Sequence, residues 1–237
     1  MINNKKVVGI VSRHVINTED PFEDYYMTGS SYVKKLDLDK VVPISVLLAN
    51  GLPNFDALDL CDAFILPGGY AVQRTTYYLI DYAIRNNKPV LGICLGSQAI
   101  AIYSILRDRL GENHSFENID KIYEDYKKEC NGVLLDSISK PNIHDYDKLT
   151  ENCYHKIKID KDSIAYDIFK KEELEVNSFH GYEFKEIGRD FRITAKAEDG
   201  VNEIIEYKKS PLVIGFQFHP EHMDTEIFNY FINRIDV

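Results

Sequence analysis

The chain has 237 residues, 44% of them apolar, which is long enough to bury a full core and is typical of a single α/β domain. Its 38 acidic and 28 basic side chains give a formal net charge of -10, so the average surface repels nucleic-acid phosphates and anionic lipid headgroups. We therefore predict one domain over residues 1–237 and expect neither nucleic acid nor a membrane as a partner.

The start of the chain and its cysteines indicate a cellular compartment. The polar segment MINNKK lacks the apolar core of a signal peptide, and no apolar stretch reaches the roughly 20 residues that span a bilayer. The cysteines have neither the paired spacing of a metal site nor the density of a disulfide framework. They are Cys61, Cys94, Cys130 and Cys153. The sequence thus predicts a cytoplasmic protein with free thiols.

In the first half of the chain, strand-like runs alternate with helix-like segments. Short apolar runs rich in Val, Ile and Leu predict strands at 6–11, 41–48, 62–69 and 88–94. The segment TTYYLIDYAIRNN between the last two has the length of a helix, and a second helical segment, AIAIYSIL, follows Cys94. This order predicts parallel strands with a crossover helix, buried on both faces.

The second half reads differently, because several of its segments alternate polar and apolar residues between short turns. Strands are predicted in CYHKIKID, LEVNSF, FRITAKAEDG, NEIIEYKK and PLVIGFQF. We therefore expect an α/β fold with an open, mostly parallel central sheet, helices on both faces and an antiparallel C-terminal extension. The acidic, Tyr-rich stretch from about 113 to 152 is either a helix with a solvated loop or a lid or partner surface.

A cysteine stands between two glycines in GICLGSQ (92–98), at the predicted junction of a strand and a helix. A residue on such a turn projects its side chain at the carboxyl end of the strand, where ligands of open α/β sheets bind. The glycines accept the tight backbone and leave the sulfur open to approach, and the helix N-terminus favours thiolate over thiol. Cys94 is therefore a candidate nucleophile, although the motif alone also fits a buried cysteine in a glycine-bounded turn.

Two further stretches supply what a nucleophilic cysteine requires. In GFQFHPEH, His219 and Glu221 follow a predicted strand two residues apart and suit the roles of a base and the acid that orients it. In LPGG, Gly68 and Gly69 follow another strand, where glycine N–H groups can face an oxyanion. The plainer alternatives are a capped loop for the first stretch and an ordinary turn for the second.

Taken together, these motifs resemble the class I glutamine amidotransferase family, and the whole chain is similar to its γ-glutamyl hydrolase branch, the peptidase C26 group. The matching segments occur in the family's order. They are ILPGG (65–69), KPVLGICLGSQ (88–98), VNSFHG (176–181), AEDGVNEIIE (197–206) and GFQFHPE (215–221). The resemblance covers nearly the full length and implies a flavodoxin-like sheet and a cysteine hydrolase.

The resemblance also implies a role for each candidate residue. Cys94 would form a γ-glutamyl thioester, His219 would act as general base and then as acid, and Glu221 would orient it. The backbone N–H groups of Gly69 and Leu95 would hold the oxyanion. The candidates for binding the glutamyl group are Gly68, Gln98, His180, Gly181 and Tyr182. For His180, a role as a packed residue behind the site fits the sequence equally well. No cofactor or metal is expected, because no second cluster of metal ligands is visible in the sequence.

Departures from the branch leave the substrate open. Its hydrolases commonly read NSxHHQ where this chain has NSFHGY, and they usually carry Arg at the position of Leu95. Both features are more typical of amidotransferases that are coupled to a synthase. The chain also runs from PGGYAVQR directly into the next helix, without the longer insertion that these hydrolases tend to have.

Three functions remain compatible with the sequence. The first is a stand-alone hydrolase that releases glutamate and an amine from a small γ-glutamyl amide, with nucleotide and polyamine amines among the options. The second is a glutaminase subunit that supplies ammonia to a separate synthase, and the third is a non-catalytic relative that senses or scaffolds. A homo-oligomer is possible, and the second function requires a synthase partner. For the first function, Tyr70 or Arg74 is expected to recognise the released amine.

Overall fold

The computed structural model describes residues 4–15, 25–48, 53–111, 114–138, 143–144 and 154–235. Its main sheet has nine strands. In spatial order they are β4 (Val41–Val46), β1 (Lys6–Val11), β5 (Ala63–Leu66), β6 (Val90–Ile93), β13 (Val213–Phe216), β12 (Asn202–Tyr207), β11 (Phe191–Ala197), β8 (Tyr154–Ile159) and β9 (Glu173–Asn177). The first five strands pair in parallel and the rest pair antiparallel, which confirms the predicted α/β class with its antiparallel extension.

Helices cover both faces of this sheet. In the described part of the chain they are α1 (Ser30–Lys34), α2 (Phe55–Asp59), α3 (Thr75–Arg85), α4 (Leu95–Leu110), α5 (Glu117–Glu129), α6 (Ile164–Phe169) and α7 (Ile227–Ile232). Buried side chains of α2 to α5 belong to the core on one face, and those of α1, α6 and α7 belong to the core on the other. None of these helices is both long and apolar enough to cross a membrane.

Strands β5, β6 and β13 lie in the centre of the sheet, and every one of their residues is buried. Burial on both faces explains why their sequences are continuous apolar runs without alternation. Phe216 of β13 lies beside Ile93 of β6 in a parallel pair. The residues that follow these two strands therefore leave the sheet at the same edge, although they are more than 120 positions apart in the sequence.

The stretch from 113 to 152 is partly helical, as one of its two interpretations predicted. Helix α5 buries Ile119 and Tyr126 and packs against α4, and the two-residue strand β7 (Asp136–Ser137) pairs with β10 (Tyr182–Glu183). No residue of 114–138 lines either cavity described below. Residues 139–142 and 145–153, including Cys153, lie outside the described residues, and a single domain over 1–237 stays a prediction.

Candidate active site

Cys94 lies on the sharp turn between β6 and α4, at the carboxyl edge of the sheet. Its φ of 50° and ψ of -107° are rare for a residue with a side chain, so the strain of the turn falls on the cysteine itself. The Cys94 N–H donates to Phe216 O (2.7 Å), and the Cys94 carbonyl accepts from the N–H groups of Ser97 and Gln98. These bonds hold the sulfur at the N-terminus of a 16-residue helix.

Glycine is required at positions 92 and 96, on either side of Cys94, for a different reason from the one predicted from the sequence. A Cβ atom on Gly96 would lie 2.1 Å from Leu66 O, and one on Gly92 would lie 2.7 Å from Gly96 O. Neither glycine has a positive φ. Glycine is therefore required by the close packing of the turn against β5 and α4, and not by access to the sulfur.

His219 and Glu221 follow β13 and reach the same edge as Cys94. His219 Nδ1 lies 2.7 Å from Glu221 Oε1, and the carboxylate is buried. Asn177, at the end of β9, fixes the histidine backbone: its Oδ1 accepts from the His219 N–H (2.7 Å) and its Nδ2 donates to His219 O (2.8 Å). Sequence analysis gave no role to Asn177, although it lies in the matched segment VNSFHG.

The charges of the site favour ionised forms of both Cys94 and His219. Burial opposes ionisation of the thiol, but the neighbouring His219 imidazolium lowers the pKa of Cys94. The charge of His180 and the Leu95 N–H act in the same direction. Burial also opposes protonation of His219, yet Cys94 and Glu221 raise the pKa of its imidazole to about 10. The arrangement therefore favours a thiolate–imidazolium pair.

Tyr32 links two parts of the site and is the clearest residue that sequence analysis missed. Its buried hydroxyl accepts a hydrogen bond from the Gly68 N–H (3.0 Å) and lies close enough to Glu221 to feel the charge of the carboxylate. Burial and the charge of Glu221 raise the pKa of Tyr32 far above its ordinary value, so the hydroxyl keeps its proton. Tyr32 thus holds the PGG turn beside the carboxylate that contacts His219.

The PGG turn supplies backbone N–H groups next to the sulfur. The Gly68 N–H is occupied by Tyr32, so the N–H groups of Gly69 and Leu95 remain the candidate oxyanion donors. A Cβ atom on Gly68 would lie 2.9 Å from His219 Cε1 and 3.4 Å from Cys94 Cβ. This turn can therefore approach the cysteine and the histidine only with glycine at position 68.

An open cavity of about 840 Å³, here called the nucleophile cavity, surrounds the sulfur. All ten residues proposed from the sequence line it, namely Gly68, Gly69, Cys94, Leu95, Gln98, His180, Gly181, Tyr182, His219 and Glu221. Gln98 Nε2 donates to Tyr182 O (3.2 Å), which brings the helix α4 and the NSFHGY segment together at one wall. The structure thus places every predicted candidate around one space.

His180 also belongs to a buried network behind this wall. Its Nδ1 lies 3.1 Å from Tyr182 O, and its Nε2 lies 3.5 Å from Glu203 Oε1. His155 Nε2 and His144 Nδ1 lie 3.1 Å and 3.4 Å from the same carboxylate oxygen. Burial opposes ionisation of Glu203, but the hydrogen bonds and charges of His155 and His180 lower its pKa to about 2. The network therefore holds an ionised carboxylate beneath His180.

The same network contains a donor set that the sequence did not reveal. Candidate ligand atoms of His144, His155 and Glu203 lie within 4.8 Å of one another, which corrects the expectation that no second ligand cluster is present. The three residues come from separate segments, so their spacing gave no signal. Their polar atoms contact one another and Asp199, at 2.9 Å from His144 Nε2, so we describe them as a hydrogen-bond network.

Comparisons with known proteins point to one family. A family model described as Peptidase C26 matches residues 71–221. A CTP synthase from Methanosphaera stadtmanae is 24% identical over 92% of this chain and 40% of its own length. A Schizosaccharomyces pombe protein described as a glutamine amidotransferase is 28% identical over 68% of this chain and 56% of its own length. The chain thus spans about half the length of these curated relatives or less.

A solved structure supports the fold. The glutaminase domain of Trypanosoma brucei CTPS with bound acivicin superimposes with a TM-score of 0.65 at 17% identity, covering 98% of this chain and 96% of that one. The match extends over the parallel strands and over the antiparallel extension alike, because nearly the whole of both chains is covered.

Proposed function

The chain belongs to the peptidase C26 family and is a glutamine amidotransferase-type cysteine hydrolase, and from that premise we propose that it is a stand-alone γ-glutamyl amide hydrolase. The observation that supports this proposal most strongly is that the chain assembles a complete set of reacting groups by itself. Cys94, His219 and Glu221 meet at one edge of the sheet, and the pKa of the thiol is lowered there without a second protein.

In the proposed reaction the Cys94 thiolate attacks the γ-carbonyl carbon of the amide, and the oxyanion that develops is held by the N–H groups of Gly69 and Leu95. As the C–N bond breaks, His219 donates its proton to the leaving nitrogen, so the amine departs neutral. His219 then takes a proton from water, which attacks the thioester and releases glutamate and the thiolate. Glu221 holds Nδ1–H of the imidazole throughout and stabilises its charged form.

A second candidate function is a glutaminase that passes ammonia to a synthase. The curated relative from Methanosphaera stadtmanae is named a CTP synthase and matches 92% of this chain, and the His180-Gly181-Tyr182 sequence and Leu95 point the same way. Such a subunit should hydrolyse glutamine slowly alone, because docking of its partner completes the site. The two candidates therefore differ in what the isolated protein can do.

We expect the isolated protein to prefer at least one γ-glutamyl amide to glutamine by on the order of a hundredfold in kcat/KM, which corresponds to about 2.7 kcal/mol of recognition of the leaving group. The measurement is glutamate release from glutamine and from a panel of alkyl and aryl γ-glutamyl amides. Equally slow hydrolysis of all of them until a second protein from the same cell is added would favour the synthase subunit instead.

A further inference from the structure

A second cavity adjoins the nucleophile cavity. It measures about 300 Å³ and shares the side chains of Arg13, Tyr70 and Leu95 and the Pro67–Gly68 turn with its neighbour. Its remaining wall is mostly apolar and includes Val11, Val15, Leu66, Ala71, Val72 and Ala99. We call it the side chamber. Of the five candidate residues for the glutamyl group, Gln98, His180, Gly181 and Tyr182 line the nucleophile cavity alone, and Gly68 lies on the turn shared by both. The side chamber is therefore left for another part of a substrate.

Arg13 stands where the two cavities meet, on the short strand β2 (Arg13–Val15). Its side chain packs over Gly69, and its guanidinium lies 5.3 Å from the centre of the Tyr70 ring. Its Nη2 atom contacts the sulfur of Met27 (3.2 Å). Within the described ranges, no carboxylate forms an ion pair with Arg13.

The rest of the surrounding charge also favours an anion. Glu221 is the one carboxylate among the described residues that line either cavity, and it is buried and hydrogen-bonded to His219. Tyr70 is 88% exposed, so one face of its ring is open to a ligand while Arg13 covers part of it. A guanidinium next to an aromatic ring and an apolar cavity wall is suited to bind a carboxylate or phosphate group carried on an apolar body.

We propose that the side chamber binds the leaving amine, and that Arg13 and Tyr70 select an amine that carries an acidic group next to an aromatic or apolar body. This inference rests on the proposed hydrolase function and names its substrate class. It excludes polyamines, because a second cation beside Arg13 would be repelled. It also replaces the earlier expectation for Arg74, which pairs with Glu124 at 2.7 Å and lines neither cavity.

The test uses four γ-glutamyl amides of one shape: the anilide and its 4-carboxylate, 4-phosphate and 4-aminomethyl derivatives. For wild type we expect kcat/KM for the carboxylate or the phosphate to exceed that for the neutral anilide by about tenfold, and the cationic amide to be the poorest. The anion with the higher kcat/KM shows whether the acidic group of the natural amine is a carboxylate or a phosphate. In Arg13→Gln the ratio of kcat/KM for the anionic amide to kcat/KM for the neutral anilide should fall close to one. Arg13→Lys keeps the positive charge, so it should keep part of the preference for the anionic amide. Arg74→Gln is the matched control that should keep the whole ratio.

One outcome would assign Arg13 to the other end of the substrate. If Arg13→Gln lowers kcat/KM for all four amides by one common factor, the guanidinium binds the α-carboxylate of the glutamyl group and the proposal is overturned. Titration calorimetry of the Cys94→Ala variant measures the affinity for each of the four amides without turnover. The ratio of affinities for the anionic and neutral amides should match the ratio of kcat/KM. Failure of the hydrolase function would then show as absent glutamate release from wild type, while the affinity ratio still decides the role of Arg13.

Discussion

Replacing Cys94 with alanine is expected to lower the rate of glutamate release by on the order of 10⁴-fold or more, because no other group can form the thioester. The remaining site would still bind the amide, so residual turnover reflects positioning of water alone. The measurement is initial-rate release of glutamate from the best amide of the panel at saturating concentration.

Cys130→Ala is the matched control for that variant. Cys130 is a free, half-buried thiol at the end of α5, and it lines neither the nucleophile cavity nor the side chamber. Its loss should leave the rate within about twofold of wild type, since substitutions away from a site change little. Near-wild-type activity in Cys94→Ala would show that another group is the nucleophile.

Replacing Glu221 with glutamine is expected to lower kcat by up to about 10⁴-fold, the order of loss known for converting the orienting acid of a triad to its amide. The amide keeps the shape of the carboxylate but removes the charge that stabilises the His219 imidazolium. Tyr32→Phe keeps that charge and removes the hydroxyl that accepts from the Gly68 N–H, so we expect a smaller loss of about tenfold, or ~1.4 kcal/mol. Tyr32 is thus a positioning residue.

The pH dependence of Cys94 alkylation separates this role from a structural one. In wild type the pKa of Cys94 is lowered by His219, so alkylation should persist well below the pH at which an ordinary thiol loses reactivity. Neutralising Glu221 removes the charge that stabilises the protonated form of His219. The Cys94 thiolate then loses stabilisation from His219, so the midpoint of alkylation moves to higher pH. Tyr32→Phe leaves the charge of Glu221 in place, so its midpoint should stay close to that of wild type while its rate of turnover falls. An unmoved midpoint in Glu221→Gln would mean that Glu221 acts through folding stability alone.

The sheet could be predicted well because its central strands carry their signal locally. The runs that became β5, β6 and β13 are continuously apolar, and Gly or Pro follows or precedes each of them. The predicted strand at 62–69 ends at Leu66 in the structure, because Pro67 opens a turn that the apolar count alone did not detect. What the pattern could not provide was strand order, and therefore the meeting of residues 94 and 219.

The groups that support the site were beyond prediction for a related reason. Tyr32 lies on the five-residue helix α1, far from any motif, and its contact with Glu221 arises only when α1 packs beside the turn that follows β13. Glu203 lies on β12 in a segment that reads as an ordinary strand, and its histidine partners come from other segments. Long-range pairs of this kind leave no periodicity or spacing in the sequence.

The most direct test of the account is to intercept the proposed thioester with hydroxylamine during turnover of a γ-glutamyl amide. A thioester on Cys94 partitions between water and the added nucleophile, so the account predicts γ-glutamyl hydroxamate in proportion to hydroxylamine, with a matching fall in glutamate. Wild type should form the hydroxamate, Cys130→Ala should form as much, and Cys94→Ala should form none. Glutamate release that continues undiminished without any hydroxamate would mean that water attacks the amide directly, and it would contradict the proposed role of Cys94.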